Sequence, residues 1–341
     1  MKIVLAPDSY KGCLSASEVA DAMEAALIEK HPDAQAVKLP VSDGGEGLLD
    51  AVAPRIDATI VHAPASDPLG RRIDAAYAIS LDTAIIETAA ACGLTLLSGD
   101  ERNPMKTSTR GVGELIMDAI GRGCRRFIVG LGGSATNDGG QGMTDVPGLI
   151  EAAKGMEFTL ACDVSAPFVG PHGASRVFAP QKGATPREVE ELEARMERRA
   201  AQILKLTGMD VRDVPGAGAA GGLGGAFLAF FGARIKSGIE VVLDAMGFDS
   251  ILEGATLVVT GEGRSDRQTT MGKAPYGVLR HATAKGIPTA LVSGSIEDRQ
   301  KLQKAGFGIV AAATPQGMPL REAMKPETAA ANIRRAMLEI L

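Results

Sequence analysis

Apolar residues in this chain follow two different grammars. Towards both ends, short unbroken apolar runs alternate with stretches whose apolar positions recur three or four apart, the pattern of buried parallel strands each followed by an amphipathic helix. Ile3 to Ala6 reads as a buried strand. Ser15-Ala16-Ser17-Glu18 is a capping box that opens a helix with Val19, Met23 and Leu27 on one face, ended by His31-Pro32. A second strand runs from Ala36 to Leu39, and three more are expected at Leu257 to Val259, Thr289 to Val292 and Ile309 to Ala312. That makes five, the number of strands in a flavodoxin-like sheet interrupted by an insertion.

The middle of the chain reads differently. Between Ala58 and Thr88 three short strands are separated by turns, with Asp67-Pro68-Leu69-Gly70 placing proline at the second position of a tight turn. Antiparallel strands after a βαβ start point to an inserted second domain. A helix through Leu115, Ile116 and Ala119 then leads to the apolar run Phe127 to Leu131. Another strand, Glu157 to Cys162, ends in Asp163, and Thr185-Pro186-Arg187-Glu188 opens a long helix whose many charges form its solvated face.

Composition narrows the function classes. With 341 residues the chain is long enough for two domains, and 45% hydrophobic with 23% charged residues is ordinary globular material. Glycine is abundant at 42 residues and aromatics are scarce at 4%, which suits tight strand-to-helix turns and argues against a stacking surface for nucleic acid. A net charge of −5 leaves no footprint for nucleic acid or an anionic membrane. Cys13, Cys92, Cys124 and Cys162 have no paired spacing, so they read as reduced thiols and not as a zinc site. With a strand-like start and no run of 18 apolar residues, the expectation is a cytoplasmic protein without membrane or nucleic-acid partners. Its state, monomer or homodimer, is left open.

Five loops carry the candidate chemistry. Gly132-Gly133-Ser134-Ala135-Thr136-Asn137-Asp138-Gly139-Gly140 brackets hydroxyls, an amide and a carboxylate with paired glycines, the composition of a site for a phosphorylated or polyhydroxylated molecule. Pro7 to Gly12 lies at the carboxyl end of a strand, where Lys11 precedes a helix. Ser42 to Gly47 sets Asp43 and Glu46 among three glycines, fit either to hold a metal's water shell or to cap a helix. Pro215 to Gly225 contains a formal G-x-G-x-x-G at Gly216, Gly218 and Gly221, but Asp210 to Pro215 is no strand, so a dinucleotide site is discounted. Those glycines serve either a phosphate loop or close backbone packing. Gly261 to Pro275 is the loop richest in charge.

Together Lys11, Lys182, Arg264 and Lys273 with Asp43, Asp138, Asp163 and Asp266 fit phosphoryl transfer, in which cations and Mg²⁺ neutralise phosphate and a carboxylate orients the attacking hydroxyl. The chain has neither a G-x-x-x-x-G-K-[ST] loop nor the protein-kinase motif set. Two other classes compete: an NAD-dependent hydroxy-acid dehydrogenase, and a non-catalytic nucleotide or flavin-binding module.

Asp8-Ser9-Tyr10-Lys11-Gly12, Ser42 to Gly47, Gly132 to Gly140, Gly216 to Gly225, and Gly261-Glu262-Gly263-Arg264 with Asp266, Gln268, Thr269, Gly272, Lys273 and Pro275 resemble the signature segments of the type I glycerate kinase family. The resemblance runs over nearly the whole chain. It implies transfer of the γ-phosphate of ATP, with Mg²⁺, to a hydroxyl of D-glycerate, giving 2-phosphoglycerate in preference to 3-phosphoglycerate. It also implies a flavodoxin-like domain (1–44 and 241–341) interrupted by an α/β domain with a mixed sheet (45–240), and an active site in the cleft between them. On that frame Asp266 orients or deprotonates the acceptor hydroxyl, with Asp138 as its rival. Lys11 and Lys273 neutralise phosphate oxygens, and Arg264 grips the glycerate carboxylate. Ser134 and Asn137 are expected on the substrate, and Lys182, Gly132, Gly133, Gly218 and Gly221 on phosphate. Asp43 or Asp163 helps hold Mg²⁺ through water. Tyr10 and Cys13 stand where the family more often has Phe and Ser. The segment between Met143 and Glu157 is markedly shorter than the family's, and Thr144 to Gly148 does not continue its pattern.

Overall fold

The computed structural model describes residues 1–41, 48–53 and 56–341, so the Ser42 to Gly47 motif, with Asp43, lies outside the described residues. The chain divides into two compact units, Met1–Asp43 with Val242–Leu341, and Gly44–Val241.

In the first unit β1 (Lys2–Pro7) is followed by the helix Ala16–Lys30 and β2 (Gln35–Lys38). The second unit then supplies β3 (Thr59–Ser66), β4 (Arg72–Ser80), β5 (Thr83–Glu87), β6 (Arg126–Gly130), β7 (Glu157–Ala161) and β8 (Arg234–Lys236). The chain returns to the first unit with β9 (Leu257–Gly261), the two-residue β10 (Arg264–Ser265), β11 (Thr289–Ser293), the two-residue β12 (Ser295–Ile296) and β13 (Ile309–Ala312).

Five strands of the first unit form one sheet in the order β13-β11-β9-β1-β2, with every pair parallel. Renumbered within the sheet this is 2-1-3-4-5, the flavodoxin-like order, and all five strands fall where the apolar runs predict them. The capping box forms as read: Ser15 Oγ accepts from the Glu18 N–H, and Glu18 Oε2 accepts from the Ser15 N–H at 2.8 Å. The helix it opens buries Val19, Met23 and Leu27 in one cluster with Ile3 and Leu5 of β1 and with Ile333, Ala336 and Met337 of the helix Pro326–Ile340. Each such large apolar side chain, fully withdrawn from water, contributes about 1.5–3 kcal/mol.

The second unit holds a six-stranded mixed sheet, β3-β4-β5-β6-β7-β8, antiparallel through β5 and parallel from there to β8. The Asp67 to Gly70 turn closes with the Gly70 N–H on the Asp67 carbonyl at 3.0 Å. Phe127 and Phe158 are register partners on β6 and β7 and stack with centroids 4.6 Å apart, fixing the strand that carries the Gly132 to Gly140 loop. After that loop the short connection between Met143 and Glu157 is packed: Met143 and Leu149 are fully buried and Val146 nearly so. The chain turns there through the Val146 N–H on the Met143 carbonyl and the Leu149 N–H on the Val146 carbonyl, each at 3.2 Å.

Candidate active site

In an open parallel sheet, ligands bind beyond the carboxyl ends of the strands where the order reverses. Here the reversal lies between β1 and β9, since the chain leaves β1 towards β2 and comes back on the other side at β9. A cavity of about 600 Å³ opens at that place, its charged lining drawn from Asp8 and Lys11 after β1, from Glu262, Arg264 and Lys273 after β9, and from Glu297 after β12.

The loop after β1 is folded on itself. Tyr10 and Leu14 form a bridge, with N–H to carbonyl bonds of 2.9 and 3.0 Å, and the turn between them needs Gly12 at φ +74°. A left-handed backbone costs a residue with Cβ about 1–2 kcal/mol, hence glycine. The turn leaves Lys11 exposed at the cavity and Tyr10 buried, its hydroxyl donating to the Val292 carbonyl at 3.1 Å. Burial, with Glu262 and Cys13 nearby, pushes the Tyr10 phenol upward, so it stays a neutral anchor. The helix that follows Lys11 has its N-terminus already capped, by Ser15.

Glu262 is the residue that sequence reasoning quoted but gave no role. It is buried, Oε1 accepting from Ser265 Oγ at 2.9 Å and Thr269 Oγ1 at 2.6 Å, and Oε2 from Lys273 Nζ at 3.3 Å. It therefore fixes where the Lys273 ammonium sits on the cavity wall. Asp8, also buried, is held at the end of β1 by its N–H on the Gly261 carbonyl at 2.8 Å. Arg264 is exposed and pairs with Glu297 at 2.8 Å. Asp266 is not among the residues lining the cavity: its Oδ1 accepts from the Gln268 N–H at 2.7 Å, the closing bond of a local turn.

A second cluster of expected residues assembles within the other unit. Asp138 does not point an unengaged carboxylate at a ligand, because it accepts from the N–H groups of Thr109, Gly140 and Gly142 at 2.9, 3.0 and 3.1 Å and from Thr109 Oγ1 at 2.9 Å. It shapes the loop. Lys182 is buried and donates to Ser134 Oγ at 3.0 Å and the Thr136 carbonyl at 2.8 Å, so it braces the loop from beneath and does not reach for phosphate in solvent. Burial pushes its ammonium down to about 8, with Cys92 and Asp138 resisting. Asn137 donates to Ser175 Oγ at 3.0 Å. Of this loop's expected phosphate contacts, Gly133 is exposed and Gly132 half-buried.

For the Pro215 to Gly225 segment the geometry selects close packing. The helix Ala219–Phe231 begins with a left-handed turn at Ala220, Gly221 and Gly222, and no strand precedes it. A Cβ on Gly221 would stand 2.0 Å from the Thr136 carbonyl oxygen, and one on Gly218 would stand 2.2 Å from that of Pro167. The backbones touch because these residues have no side chain. Asp163 is exposed and accepts from the Gly238 N–H at 3.0 Å, at the start of the helix Gly238–Ala245.

Residues 3–150 and 144–341 match the model of the glycerate kinase family. The chain is a member of the glycerate kinase family. This family member is 45% identical to the glycerate 2-kinase of Escherichia coli K12 over 328 residues, covering 87% of this chain and 86% of the relative. It is 40% identical to the glycerate kinase of Bacillus subtilis 168, covering 95% and 93%. A solved structure of a Salmonella typhimurium LT2 protein assigned as glycerate kinase 2 superposes with a TM-score of 0.85 at 40% identity, covering all of this chain and 97% of that one. The family match breaks in two at the shortened connection after Met143, and the Bacillus subtilis alignment runs over 356 positions, more than the 341 residues present here. Among the described residues no helix is long and apolar enough to cross a membrane.

Proposed function

We propose that this glycerate kinase family member transfers the γ-phosphate of ATP to a hydroxyl of D-glycerate, the 2-hydroxyl in preference to the 3-hydroxyl. The observation that carries the reading is the cavity at the strand-order reversal, where three cations and three carboxylates converge in a chain of this family. Phosphoryl transfer asks for little covalent chemistry and much charge neutralisation, which is what such a lining supplies. Lys11 and Lys273 take phosphate oxygens. Arg264, whose partner Glu297 is exposed with it, exchanges that pair for the glycerate carboxylate, which its planar fork matches. Asp8 orients the acceptor hydroxyl and takes its proton. Its Oδ1 accepts from the Ser9 N–H at 2.6 Å, and it is chosen for its place, since it lines the cavity at the end of β1 whereas Asp266 lies off the lining and Asp138 belongs to a loop of the other unit.

Mg²⁺ suits this lining. The ion needs only one or two carboxylates besides substrate phosphates and water, and no cluster of three or more His, Cys, Asp or Glu able to hold a metal stands among the described residues. A carboxylate offers about four acceptor sites, of which Glu262 uses three, leaving one for a metal-bound water. When bound, the ion supplies neutralisation of phosphate charge. In the second unit, the Gly132-Gly133 backbone is the part of the loop that reaches solvent and is that unit's candidate ligand contact.

The test is ADP release in a coupled assay with ATP, Mg²⁺ and D-glycerate, followed by identification of the product. Glycerate-dependent turnover giving 2-phosphoglycerate is expected. ADP release that does not depend on glycerate, or none at all, overturns the reading, and 3-phosphoglycerate overturns the preference.

A further inference from the structure

The cavity has a second lining that phosphate chemistry does not use. Met318, Leu320, Ala323 and Met324 after β13, with Ala329 and Asn332 of the helix Pro326–Ile340, give it an apolar wall. Leu320 is 73% exposed and Met324 40% exposed, a large apolar surface left uncovered at the cavity. Within this wall Asn332 is the polar exception. It is only 8% exposed, and its Nδ2 donates to Met318 Sδ at 3.4 Å, a thioether and a weak acceptor. A buried carboxamide with so poor a partner has hydrogen-bonding capacity for a ligand edge.

We infer that this wall is a purine subsite in which Asn332 hydrogen-bonds the edge of the base; the inference rests on the nucleotide reading above. A nucleotide carries anionic phosphates at one end and a flat, apolar-faced base with a donor and acceptor edge at the other. The cavity is divided in the same way, cations from the strand ends and methionine, leucine and alanine from the C-terminal segment. Its volume of about 600 Å³ belongs to the range of sites for drug-sized molecules, well beyond the needs of a three-carbon acid. Methionine suits the faces of an aromatic ring, since its sulfur is polarisable and its chain adapts. A carboxamide suits the edge, since it pairs a donor with an acceptor in one plane, as it does with adenine in nucleic acids.

Titration calorimetry of the full-length chain with adenosine, ADP and pyrophosphate tests this. Asn332→Ala and the exposed-site variant Met324→Asp are compared with wild type after a thermal melt confirms folding. Both are expected to weaken adenosine and ADP about tenfold to a hundredfold while pyrophosphate binding stays within about twofold, the loss of a paired edge contact and of the wall. In turnover, the effect should fall on KM for ATP more than on kcat, with KM for glycerate unmoved. Folded variants that bind ADP like wild type, pyrophosphate affinity that falls in step with ADP, or a wild type that binds neither adenosine nor ADP would each overturn the subsite. Nucleotide binding that depends on Asn332 in a chain that never phosphorylates glycerate would leave the subsite standing and remove the glycerate reading. Glycerate turnover with an unchanged KM for ATP in Asn332→Ala would do the reverse.

Discussion

Replacing Gly221 with alanine separates a packing glycine from a phosphate-loop glycine. Gly221 sits at φ +66°, where a residue with Cβ costs about 1–2 kcal/mol. The added carbon would also stand 2.0 Å from the Thr136 carbonyl oxygen and 2.7 Å from the Asn137 Cα, both backbone atoms with no rotamer to escape into. Overpacking of that kind costs about 1–3 kcal/mol. The shift needed to relieve it strains the bond from the Gly139 N–H to the Gly221 carbonyl at 3.0 Å. The two costs together come to roughly 2–5 kcal/mol, a large part of the roughly 5–15 kcal/mol that holds a domain folded. For a unit of this size each kcal/mol lowers Tm by about 2–4 °C, so a fall of about 10 °C is expected.

The control is Gly208, which ends the helix Pro186–Thr207 at φ +78° with open space where Cβ would go. Alanine there meets only the backbone penalty, so the difference between the two variants isolates the contact. Thermal unfolding followed by circular dichroism without nucleotide is the assay. If Gly221→Ala melts within about 1 °C of wild type, or no lower than Gly208→Ala, the close approach is not what the glycine is for, and the phosphate-loop reading returns.

Three further outcomes follow from the placement of charge. Asp8→Asn should lower kcat about a hundredfold or more, as for loss of a proton acceptor, while Asp266→Asn stays within about tenfold; steady-state turnover with the order reversed would move the catalytic carboxylate back to Asp266. Glu262→Gln should raise KM for ATP about tenfold by releasing Lys273, since a hydrogen bond to a charged group is worth about 1.5–3 kcal/mol, and an unchanged KM would detach Lys273 from phosphate binding. For Lys182 the sign is set by an ammonium that falls from 10.5 to about 8 on folding. Between those values the unfolded chain holds a proton that the folded chain has lost, so stability rises with pH, and below about 8 the burial cost is present in full. That difference is worth roughly 3 kcal/mol. Burial raises the Cys92 thiol and gives the opposite slope above about pH 9, so the readout is a difference: in urea unfolding at pH 7.5 and pH 10 wild type should gain stability relative to Lys182→Met, and equal pH responses would show that Lys182 is not desolvated.

The limits of the sequence lie in who holds whom. The sheet of the first unit was legible because a buried parallel strand needs an unbroken apolar run, and Ile3 to Ala6 or Thr289 to Val292 can be little else. Loop positions were legible for a related reason, since strand order places Lys11, Arg264 and Lys273 beyond carboxyl ends whatever their side chains do. The carboxylates were harder. Asp138 and Asp266 carry the same chemistry as Asp8 on paper, and only the fold shows three amide donors closing on Asp138 and Asp266 lying off the cavity that Asp8 lines. Glu262 had the opposite fate: between two glycines it reads as a solvated loop residue, yet Ser265 and Thr269, three and seven positions on, fold back to bury it. Spacing reports what residues are near in sequence, whereas which carboxylate stands at the cavity is decided by the fold. Local turns spend oxygens on neighbouring amides first, so a carboxylate inside a tight glycine loop is more often a clamp than a base.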